Sequence, residues 1–425
     1  MLDPRFIRSH PEEVARALTA KGEERVDLDQ LLDLDRRYRE NLAQVEQMRS
    51  ERNRRSQEVA QRRKAGEDAE ELIAATRRLA QDLAKLEETG KTLKRDLDQQ
   101  LTWLPNIPHP TVPVGPAESA NQELRRWGDF PPPGRRVPHW ELGPRLDLFD
   151  NDAGAKISGS GFTLYKNRGA RLVRALINFM LDLHTTRHGY TEVAPPFIVR
   201  REAAFGTGQL PKLAEDMYVV EVDDLFLIPT AEVPLTNIYR DEILPGEELP
   251  IYITAYSPCF RREAGAYGRD TRGLVRVHQF DKVEMVKFVR PDDSYAELET
   301  LVGNAEAVLQ ALELPYRVVL LGSGDLSFAA AKCYDLELWA PAEERWLEVS
   351  SCSNFEDFQA RRCGIRFRGD DGKVHHVHTL NGSGVALPRL IVALLEVHQT
   401  PAGELRIPEA LRPYLGGADL LPAGG

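Results

Sequence analysis

The feature that most constrains this chain is a long stretch near its N-terminus with two glycines and no proline. Residues 27–101 are rich in Glu, Arg, Gln, Leu and Ala, a composition typical of long helices. Apolar side chains recur there at heptad spacing in two runs, namely Leu31, Tyr38, Leu42, Val45 and Met48, then Leu79, Leu83, Leu86, Leu93, Leu97 and Leu101. Because each stripe needs another to cover it, the pattern predicts an antiparallel coiled-coil hairpin that reverses at residues 64–68, KAGED.

Positive charge is concentrated on this hairpin, although the whole chain has a formal net charge of −11. Between residues 49 and 64, seven basic residues stand against only Glu51 and Glu58. Two interpretations remain open, an ordinary solvated helix face and a surface that follows the phosphates of a nucleic acid. The acidic average argues against a protein coated in DNA or RNA. The seven basic residues are Arg49, Arg52, Arg54, Arg55, Arg62, Arg63 and Lys64.

A proline-rich segment follows the hairpin. Residues 105–138 contain nine prolines, which predict an extended linker. We therefore expect a helical domain over residues 1–104, a linker over 105–138 and a second domain over 139–425. No apolar run approaches the roughly 20 residues of a membrane helix, and the N-terminus lacks the apolar core of a signal peptide, so we expect a cytoplasmic protein with no membrane partner.

The second domain alternates helical and strand-like patterns. Helices are predicted over residues 169–187, 294–313 and 388–398, and half-polar strands over 274–289 and 346–351. Half-polar strands are typical of antiparallel rather than parallel sheets. The predicted fold class is α+β, a hairpin arm plus a domain built on a mixed, mainly antiparallel sheet flanked by helices. No GxGxxG or GxxxxGK[ST] motif is present, so neither a Rossmann nor a P-loop nucleotide site is indicated.

One predicted strand has an unusually charged face. Alternation along RVHQFDKVE, residues 276–284, puts Arg276, His278, Phe280, Lys282 and Glu284 on one side and valines on the other. Such a face is either exposed to solvent or lines a polar cleft, because burying it in a core would be expensive. The strand alone does not decide between these two interpretations.

Three segments occur in an order that suggests a family. Residues 189–198 follow a long helix and contain Pro196; CFRRE, residues 259–263, leads through AGAYGRDTRG into the charged strand; and NGSGVALPR, residues 381–389, runs into an apolar helix. They resemble motifs 1, 2 and 3 of the class II aminoacyl-tRNA synthetases. With the hairpin, the Thr230-Ala231-Glu232 triplet and EVSSCSN at residues 348–354, the chain resembles the bacterial-type seryl-tRNA synthetase family along essentially its whole length.

The resemblance implies an ATP-dependent ligase that forms seryl-adenylate and pyrophosphate from L-serine and ATP. Serine then passes to the 3′ end of tRNA(Ser), and tRNA(Sec) is a further candidate substrate. The resemblance also implies Mg²⁺ with ATP, and a cytoplasmic homodimer in which each arm serves the partner subunit's active site. Four widely spaced cysteines without a CxxC pair predict neither disulfides nor a zinc site, so no zinc is expected. DNA is not an expected partner.

The family pattern also implies roles for individual residues. Arginine suits phosphate and carboxylate contacts because it stays charged and pairs with two oxygens, and the selection of serine must depend on groups that lose a partner when the hydroxyl is missing. The implied catalytic residues are Arg261, Glu263, Arg276 and Arg389. The implied serine-binding residues are Thr230, Ala231, Glu232, Arg261, Glu284 and Ser383. The implied ATP-binding residues are Arg261, Arg262, Glu263, Arg276, Val277, Phe280, Glu348, Val349, Ser350, Ser351 and Arg389. The implied metal ligands are Glu348 and Ser351, and the seven basic arm residues are the implied tRNA contacts.

Two rival functions remain to be weighed. A synthetase-like ligase that loads an amino acid onto a carrier protein would have no use for a long basic hairpin. A catalytically inactive tRNA-binding or regulatory protein would not need the acidic and basic residues of the motifs together. A histidine cluster, His375, His376 and His378, resembles a metal site, but alternation along a strand favours a polar strand instead.

Overall fold

The structure is a computed structural model that describes residues 1–131, 136–264 and 272–423. The chain forms two compact units, residues 2–105 and residues 106–425. Within the described ranges, no helix is both long enough and apolar enough to cross a membrane.

The first unit is helical and contains the predicted hairpin. Its helices are α1 (Pro4–Ser9), α2 (Pro11–Ala20), α3 (Leu28–Ala65) and α4 (Glu70–Leu101). Gly66 caps the C-terminal end of α3, and its φ of 73° is left-handed and therefore favours glycine. The reversal covers residues 66–69, within two residues of the predicted 64–68, and the prediction of a helical hairpin is confirmed.

The contact between the two long helices differs from the heptad prediction at one turn. Leu42 is 41% exposed, whereas the neighbouring Asn41 is 6% exposed and donates from Nδ2 to the Leu86 carbonyl at 3.1 Å. The opposing residue is Gly90, where an added Cβ would lie 2.5 Å from Asn41 Oδ1. Glycine thus allows a close approach at which a polar side chain replaces the expected leucine, a pattern that fixes helix register.

The second unit is built on a large sheet with helices against it. Its helices are α5 (His139–Arg145), α6 (Asn151–Ser158), α7 (Asn167–Arg187), α8 (Arg201–Gly206), α9 (Glu232–Thr236), α10 (Ser294–Ala311), α11 (Phe358–Cys363) and α12 (Leu387–Val397). Short 3-10 helices cover Ala117–Ala120, Ala214–Asp216, Asn237–Tyr239, Gly246–Glu248, Pro291–Asp293 and Glu409–Leu415.

The strands are β1 (Gln122–Trp127), β2 (Phe149–Asp150), β3 (Leu164–Tyr165), β4 (Thr191–Glu192), β5 (Ile198–Arg200), β6 (Val219–Val220), β7 (Leu225–Leu227), β8 (Ile243–Pro245), β9 (Ile251–Phe260), β10 (Gln279–Val289), β11 (Tyr316–Leu320), β12 (Lys332–Ala340), β13 (Arg345–Asn354), β14 (Arg366–Arg368), β15 (Val374–His376), β16 (His378–Ala386), β17 (Leu405–Arg406) and β18 (Leu420–Leu421). Across the described residues, the main sheet has the order β1-β11-β12-β13-β16-β10-β9-β4. Its pairs are antiparallel except β4 with β9, which confirms the predicted mainly antiparallel sheet.

The core lies between this sheet and helices α7, α10 and α12, whose apolar side chains are almost all buried. Proline near the start of α12 suits its first turn, where no intrahelical N–H bond is lost. The three predicted helices agree with α7, α10 and α12 to within two residues at either end. All four cysteines are buried and free, as their spacing predicts.

Two sequence predictions differ from the structure. Within the proline-rich segment, β1 pairs with β11 at the edge of the main sheet, so residues 106–131 belong to the second unit instead of forming an extended linker. Prolines flank β1 without interrupting it, which is why composition alone missed the strand. The charged strand begins at Gln279, so Arg276 and His278 precede it. Residues 132–135 of the predicted linker and residues 265–271 of the glycine-rich loop lie outside the described residues.

Candidate active site

Two adjoining cavities open on one side of the main sheet. The larger has a volume of about 560 Å³ and the smaller about 110 Å³. They share a lining of charged and polar side chains, consisting of Arg261, Glu263, Arg276, Lys282, Glu348 and Ser383. Four residues of the predicted charged face, Arg276, Phe280, Lys282 and Glu284, therefore line a polar cleft, whereas His278 lines neither cavity.

The central strands β9, β10 and β16 set the positions of these side chains. Glu284 on β10 lies opposite Ala255 of β9 and opposite Ser383 of β16. The register between β10 and β16 shifts at this point, so Gly384 is the extra residue of a bulge. A Cβ on Gly384 would lie 2.6 Å from His184 Nε2, which explains the glycine. Bulges often redirect a side chain beside a functional site, and this one faces Glu284.

An acidic pocket forms one end of the larger cavity. The Glu284 carboxylate is fully buried and forms an ion pair with the Lys282 ammonium. Lys282 Nζ also donates to Thr230 Oγ1 at 2.8 Å, and Asn381 Nδ2 donates to Glu284 Oε1 at 3.1 Å. Because a buried carboxylate needs partners on both oxygens, this network holds Glu284 in one orientation.

A second buried carboxylate, Glu232, faces the same pocket. Gln359 Nε2 donates to Glu232 Oε1 at 2.7 Å. Burial, together with the negative charge of Glu284, raises the pKa of Glu232 to about 7, although the hydrogen bond from Gln359 and the charges of Lys282 and Arg261 oppose the shift. The pocket therefore disfavours a second negative charge until a cation enters it.

Arginines surround the junction of the two cavities. Arg261 donates from Nε to the Pro229 carbonyl at 3.3 Å, and its guanidinium lies 5.1 Å from the centre of the Phe280 ring. Arg276 forms an ion pair with Glu263. Arg389, near the start of α12, donates from Nε to the Val275 carbonyl at 3.1 Å and from Nη1 to the Glu348 carbonyl at 2.7 Å. This concentration of guanidinium groups suits an anionic ligand.

Oxygen donors lie close to these arginines. Ser351 Oγ is 3.2 Å from Glu348 Oε1 and donates to Asp335 Oδ1 at 2.6 Å. Burial and the nearby charge of Glu348 raise the pKa of the Asp335 carboxyl well above its usual range. A hard divalent cation would relieve this crowding of carboxyl groups, so the donor set fits Mg²⁺.

The cavities bring together most of the residues that the sequence predicts for a site. The larger is lined by Thr230, Glu232, Arg261, Glu263, Arg276, Glu284, Glu348, Ser351 and Ser383. The smaller adds Val277, Phe280, Val349 and Arg389. Three predicted residues line neither cavity. Ala231 is buried in a separate apolar cluster, Ser350 donates to the Ser383 carbonyl at 2.7 Å, and the Arg262 amide donates to the Asp216 carbonyl at 2.8 Å.

Sequence reasoning missed several residues of the larger cavity. Asn381 and residues 207–209 line it without having been predicted as site residues. Lys282 also lines it, and it was predicted to lie on the charged face but not to take part in binding or catalysis. Alternation gave a signal for Lys282, since it places that residue beside Glu284. Residues 207–209 belong to the glycine-containing loop GTGQLPK, residues 206–212, whose sequence predicts a mobile loop and no site, because only the fold brings it beside the sheet.

The basic stretch of the arm is largely exposed in α3. Several of its arginines pair with carboxylates, Arg49 with Glu87 at 2.7 Å and Arg62 with Glu58 at 2.8 Å. Hydrogen bonds from Arg54 and Arg55 lower the pKa of Glu51 to about 2. The structure gives no ion pair for the exposed Arg63 and Lys64 within the described residues, so positive charge is available near the reversal.

The histidine cluster of the sequence does not form a ligand group. His375 Nε2 lies 3.2 Å from Asp371 Oδ1 and His378 Nδ1 lies 2.9 Å from Ser294 Oγ. In the described part of the chain, the histidine and carboxylate group with metal-like spacing is a different one, formed by His139, Glu343 and Glu396.

Comparison with known proteins identifies the family. Residues 1–108 match the seryl-tRNA synthetase N-terminal domain, and residues 218–398 match the tRNA synthetase class II core domain (G, H, P, S and T). The serine–tRNA ligase of Pelotomaculum thermopropionicum is 55% identical over 98% of this chain and 99% of its own length. The chain belongs to the seryl-tRNA synthetase family. The corresponding ligase of Caldanaerobacter subterraneus subsp. tengcongensis is 54% identical over 98% of both chains.

A solved structure supports the same assignment for this synthetase. The crystal structure of seryl-tRNA synthetase from Pyrococcus horikoshii complexed with ATP superposes with a TM-score of 0.93 at 41% identity, over the whole of both chains. The two-unit architecture, with a helical arm and a class II domain, is therefore common to both proteins.

Proposed function

We propose that the two cavities hold serine and ATP side by side, with Arg261 serving both. As a member of its family, the chain is an ATP-dependent ligase that forms seryl-adenylate and pyrophosphate and then transfers serine to the 3′ end of tRNA(Ser). One observation carries the proposal. The buried carboxylates of Glu232 and Glu284 line only the larger cavity, whereas guanidinium groups continue from it into the smaller one, with Arg261 and Arg276 lining both and Arg389 lining the smaller. An amino acid with its ammonium at the acidic end would present its carboxylate to Arg261.

Activation requires the serine carboxylate to approach the α-phosphorus of ATP, although both groups are negatively charged. We assign the neutralising role to Arg261, which can contact the serine carboxylate and the α-phosphate together, and the γ-phosphate to Arg389. Phe280 and Arg276 would enclose the adenine ring, with Glu263 and the Val277 backbone at its edge. No protein nucleophile is needed, because positioning and charge stabilisation can supply the catalysis.

Serine selection is assigned to the acidic pocket. Glu232 and Thr230 would hold the ammonium group, and Glu284 with Ser383 would bind the hydroxyl. Since Glu284 is held by Lys282 and Asn381 and is fully buried, an amino acid without a hydroxyl would leave one of its hydrogen-bonding positions unfilled. We therefore expect alanine to be rejected because it leaves Glu284 without the hydroxyl partner. We expect threonine to be rejected because its added methyl group crowds the pocket.

Glu348 and Ser351 would hold Mg²⁺ against the ATP phosphates, with the buried Asp335 behind them. The cation would supply charge neutralisation to the polyphosphate. This chain's own part is to hold Ser351 Oγ within hydrogen-bonding distance of one carboxyl oxygen of Glu348 and one of Asp335 before the nucleotide arrives.

The arm is assigned to the body of tRNA. Its exposed arginines and lysine near the reversal suit phosphate contacts, and the helices offer few aromatic groups for reading bases. The seven basic residues remain candidates as a set. Charging of tRNA(Sec) and a cytoplasmic location stay predictions.

A homodimer is proposed from the region of the predicted motif 1. Strand β4 is the edge of the main sheet, and the segment that follows exposes Phe197 by 38% and Ile198 by 48%. A sheet edge beside exposed apolar side chains is a surface that proteins normally cover. A second copy of the chain would cover it and would let each arm serve the partner's site.

The test is exchange of pyrophosphate into ATP that depends on an amino acid, with serine, threonine, alanine and glycine in turn. Exchange with serine alone, lost in Glu284→Ala, is the expected result. Exchange with alanine or glycine instead of serine would favour a carrier-protein ligase, and no exchange with any of them would favour an inactive tRNA-binding protein.

A further inference from the structure

His139 lies outside both cavities, in a buried network of polar groups that reaches the active site. Its side chain is fully buried at the start of α5, with Nδ1 3.1 Å from Glu396 Oε1 and 3.2 Å from Glu343 Oε1. Glu396 lies near the end of α12, and Glu343 lies in the turn between β12 and β13. Nothing in the proposed reaction uses these three groups.

The other ring nitrogen of His139 contacts the segment that carries two proposed ATP contacts. The Leu274 amide donates to Nε2 at 3.1 Å. The preceding Gly273 has a φ of 72°, and a Cβ there would lie 2.0 Å from the same nitrogen. The backbone thus passes directly over the imidazole edge, two residues before Arg276.

The hydrogen bonds determine the tautomer. Because Nε2 accepts from an amide, the neutral ring carries its proton on Nδ1, where it donates to Glu396. Glu396 is itself held, since Oε2 accepts from the Ala342 amide at 2.9 Å and Oε1 from the His139 amide at 3.2 Å. A metal ion on Nδ1 would need the proton to move to Nε2, where it would face the Leu274 N–H, so this group does not suit a metal.

Both ends of α12 consequently hold one short backbone segment, residues 273–275. Arg389 at the start of the helix donates directly to the Val275 carbonyl, and Glu396 near its end acts on Leu274 through His139. The segment connects the glycine-rich loop to β10, so its position sets where Arg276 and Val277 meet the smaller cavity.

We propose that His139 is a positioning residue for ATP. Its Nε2 accepts a hydrogen bond from the Leu274 amide, and its contact with Glu396 fixes the 273–277 segment to α12. The proposal rests on the proposed ATP site at Arg276 and Val277. It requires the neutral ring, since a proton on Nε2 would replace the acceptor with a second donor.

Charged groups around the imidazole set its response to pH. Burial lowers the pKa of His139, and the carboxylates of Glu343 and Glu396 more than offset this, so the net pKa lies above its ordinary value. Arg345 pairs with Glu343 on the side away from the ring. As the pH falls through that raised pKa, the Leu274 hydrogen bond is lost, and ATP binding weakens.

The test compares His139→Phe with His398→Phe. His398 is a matched control, because it is also buried, caps the same helix and makes a hydrogen bond from Nε2 to the Leu312 carbonyl at 2.9 Å, away from the ATP segment. Both variants should lower the melting temperature. Only His139→Phe should raise the KM for ATP in serine-dependent exchange, about tenfold for one lost hydrogen bond, with the KM for serine unchanged.

His139→Gln supplies the rescue, since its amide oxygen can accept the Leu274 N–H. It should recover most of the ATP affinity. Because glutamine does not titrate, its ATP affinity should not fall at low pH. Equal KM values for ATP in the two phenylalanine variants, or no recovery in His139→Gln, would overturn the proposal. An Arg276→Ala variant tests the proposed ATP site separately from the role of His139. An unchanged KM for ATP in that variant would overturn the ATP site and the role of His139 with it.

Discussion

Lys282 and Glu284, two residues apart on β10, form a buried ion pair at the acidic end of the larger cavity. The pair, together with Asn381, fixes the orientation of the buried Glu284 side chain. Replacing the lysine would remove the partner of a buried charge, a change that is typically far more costly than removing the whole pair.

Lys282→Met should therefore raise the KM for serine at least tenfold and reduce the preference for serine over alanine. Lys287→Met is the matched control, because Lys287 is buried on the same strand and pairs with Glu297 at 2.8 Å outside the site. Each substitution should reduce the free energy of unfolding by roughly 3–5 kcal/mol. Pyrophosphate exchange with serine and alanine measures the difference, and equal selectivity in the two variants would contradict the role of Lys282.

Glu232→Gln should stabilise the protein at pH 8 while weakening serine binding. A carboxyl group whose pKa is raised to about 7 favours the folded state when neutral, and this contribution is lost as the pH rises through 7. The variant removes the free-energy cost of a charged carboxylate at this buried position, on the order of 1–3 kcal/mol. It also removes the negative charge that we assign to the ammonium group of serine. Thermal unfolding at pH 5 and pH 8 and calorimetry with serine measure both effects, and a variant that is no more stable at pH 8 would disprove the electrostatic account.

Arg389→Lys should raise the KM for ATP between tenfold and a hundredfold. The guanidinium donates to the Val275 and Glu348 carbonyls from different nitrogens, and a single ammonium cannot reproduce that fork. Arg412→Lys is a control, since Arg412 donates to the Ile407 carbonyl elsewhere in the unit. Steady-state exchange at varied ATP decides the outcome, and an ATP affinity retained in Arg389→Lys would contradict the phosphate role.

Neutralising the end of the arm should weaken tRNA binding without affecting serine activation. We expect the triple variant Arg62→Gln, Arg63→Gln, Lys64→Gln to reduce the steepness with which log affinity falls with log salt concentration by about 2–3, since each residue would release the counterions of one phosphate. The control neutralises three lysines of α4 that lie farther along the chain from the reversal, Lys85, Lys91 and Lys94, which have acidic partners as Arg62 does. Filter binding over a salt range provides the measurement, and identical slopes in the two triple variants would refute the assignment.

Gly90→Ala should destabilise the hairpin even though alanine is the better helix former. Its Cβ would lie 2.5 Å from Asn41 Oδ1, so the buried Asn41 side chain must move and its hydrogen bond to the Leu86 carbonyl is disturbed, at a cost of roughly 1–3 kcal/mol. Asn41→Ala in the same chain removes the obstructing atom. Circular dichroism of the full chain should show the double variant to be more stable than the sum of the single changes predicts, and simple additivity would show that the two residues do not share a contact.

Much of the fold follows from local pattern. The heptad stripes and Gly66 predict α3, α4 and their reversal, because a helix with one apolar stripe needs a partner and left-handed backbone favours glycine. Alternation along residues 280–284 places Phe280, Lys282 and Glu284 on one face, since side chains of a strand point to opposite sides in turn. Those predictions depend on neighbours in sequence, and the structure confirms them.

Tertiary structure decided the rest, because those features depend on which distant residues meet. Asn41 replaces Leu42 in the helix contact because Gly90, 49 residues away, permits a close approach. Strand β1 forms within a proline-rich segment because β11 offers it an unpaired sheet edge. The pKa of Glu232 depends on its burial beside Glu284, and His139 reaches Leu274 only because α5, α12 and the β12–β13 turn converge on it. The sequence alone determined which chemical groups were available, whereas folding decided which of them became neighbours, since interactions between buried polar groups depend on distances that local pattern does not specify.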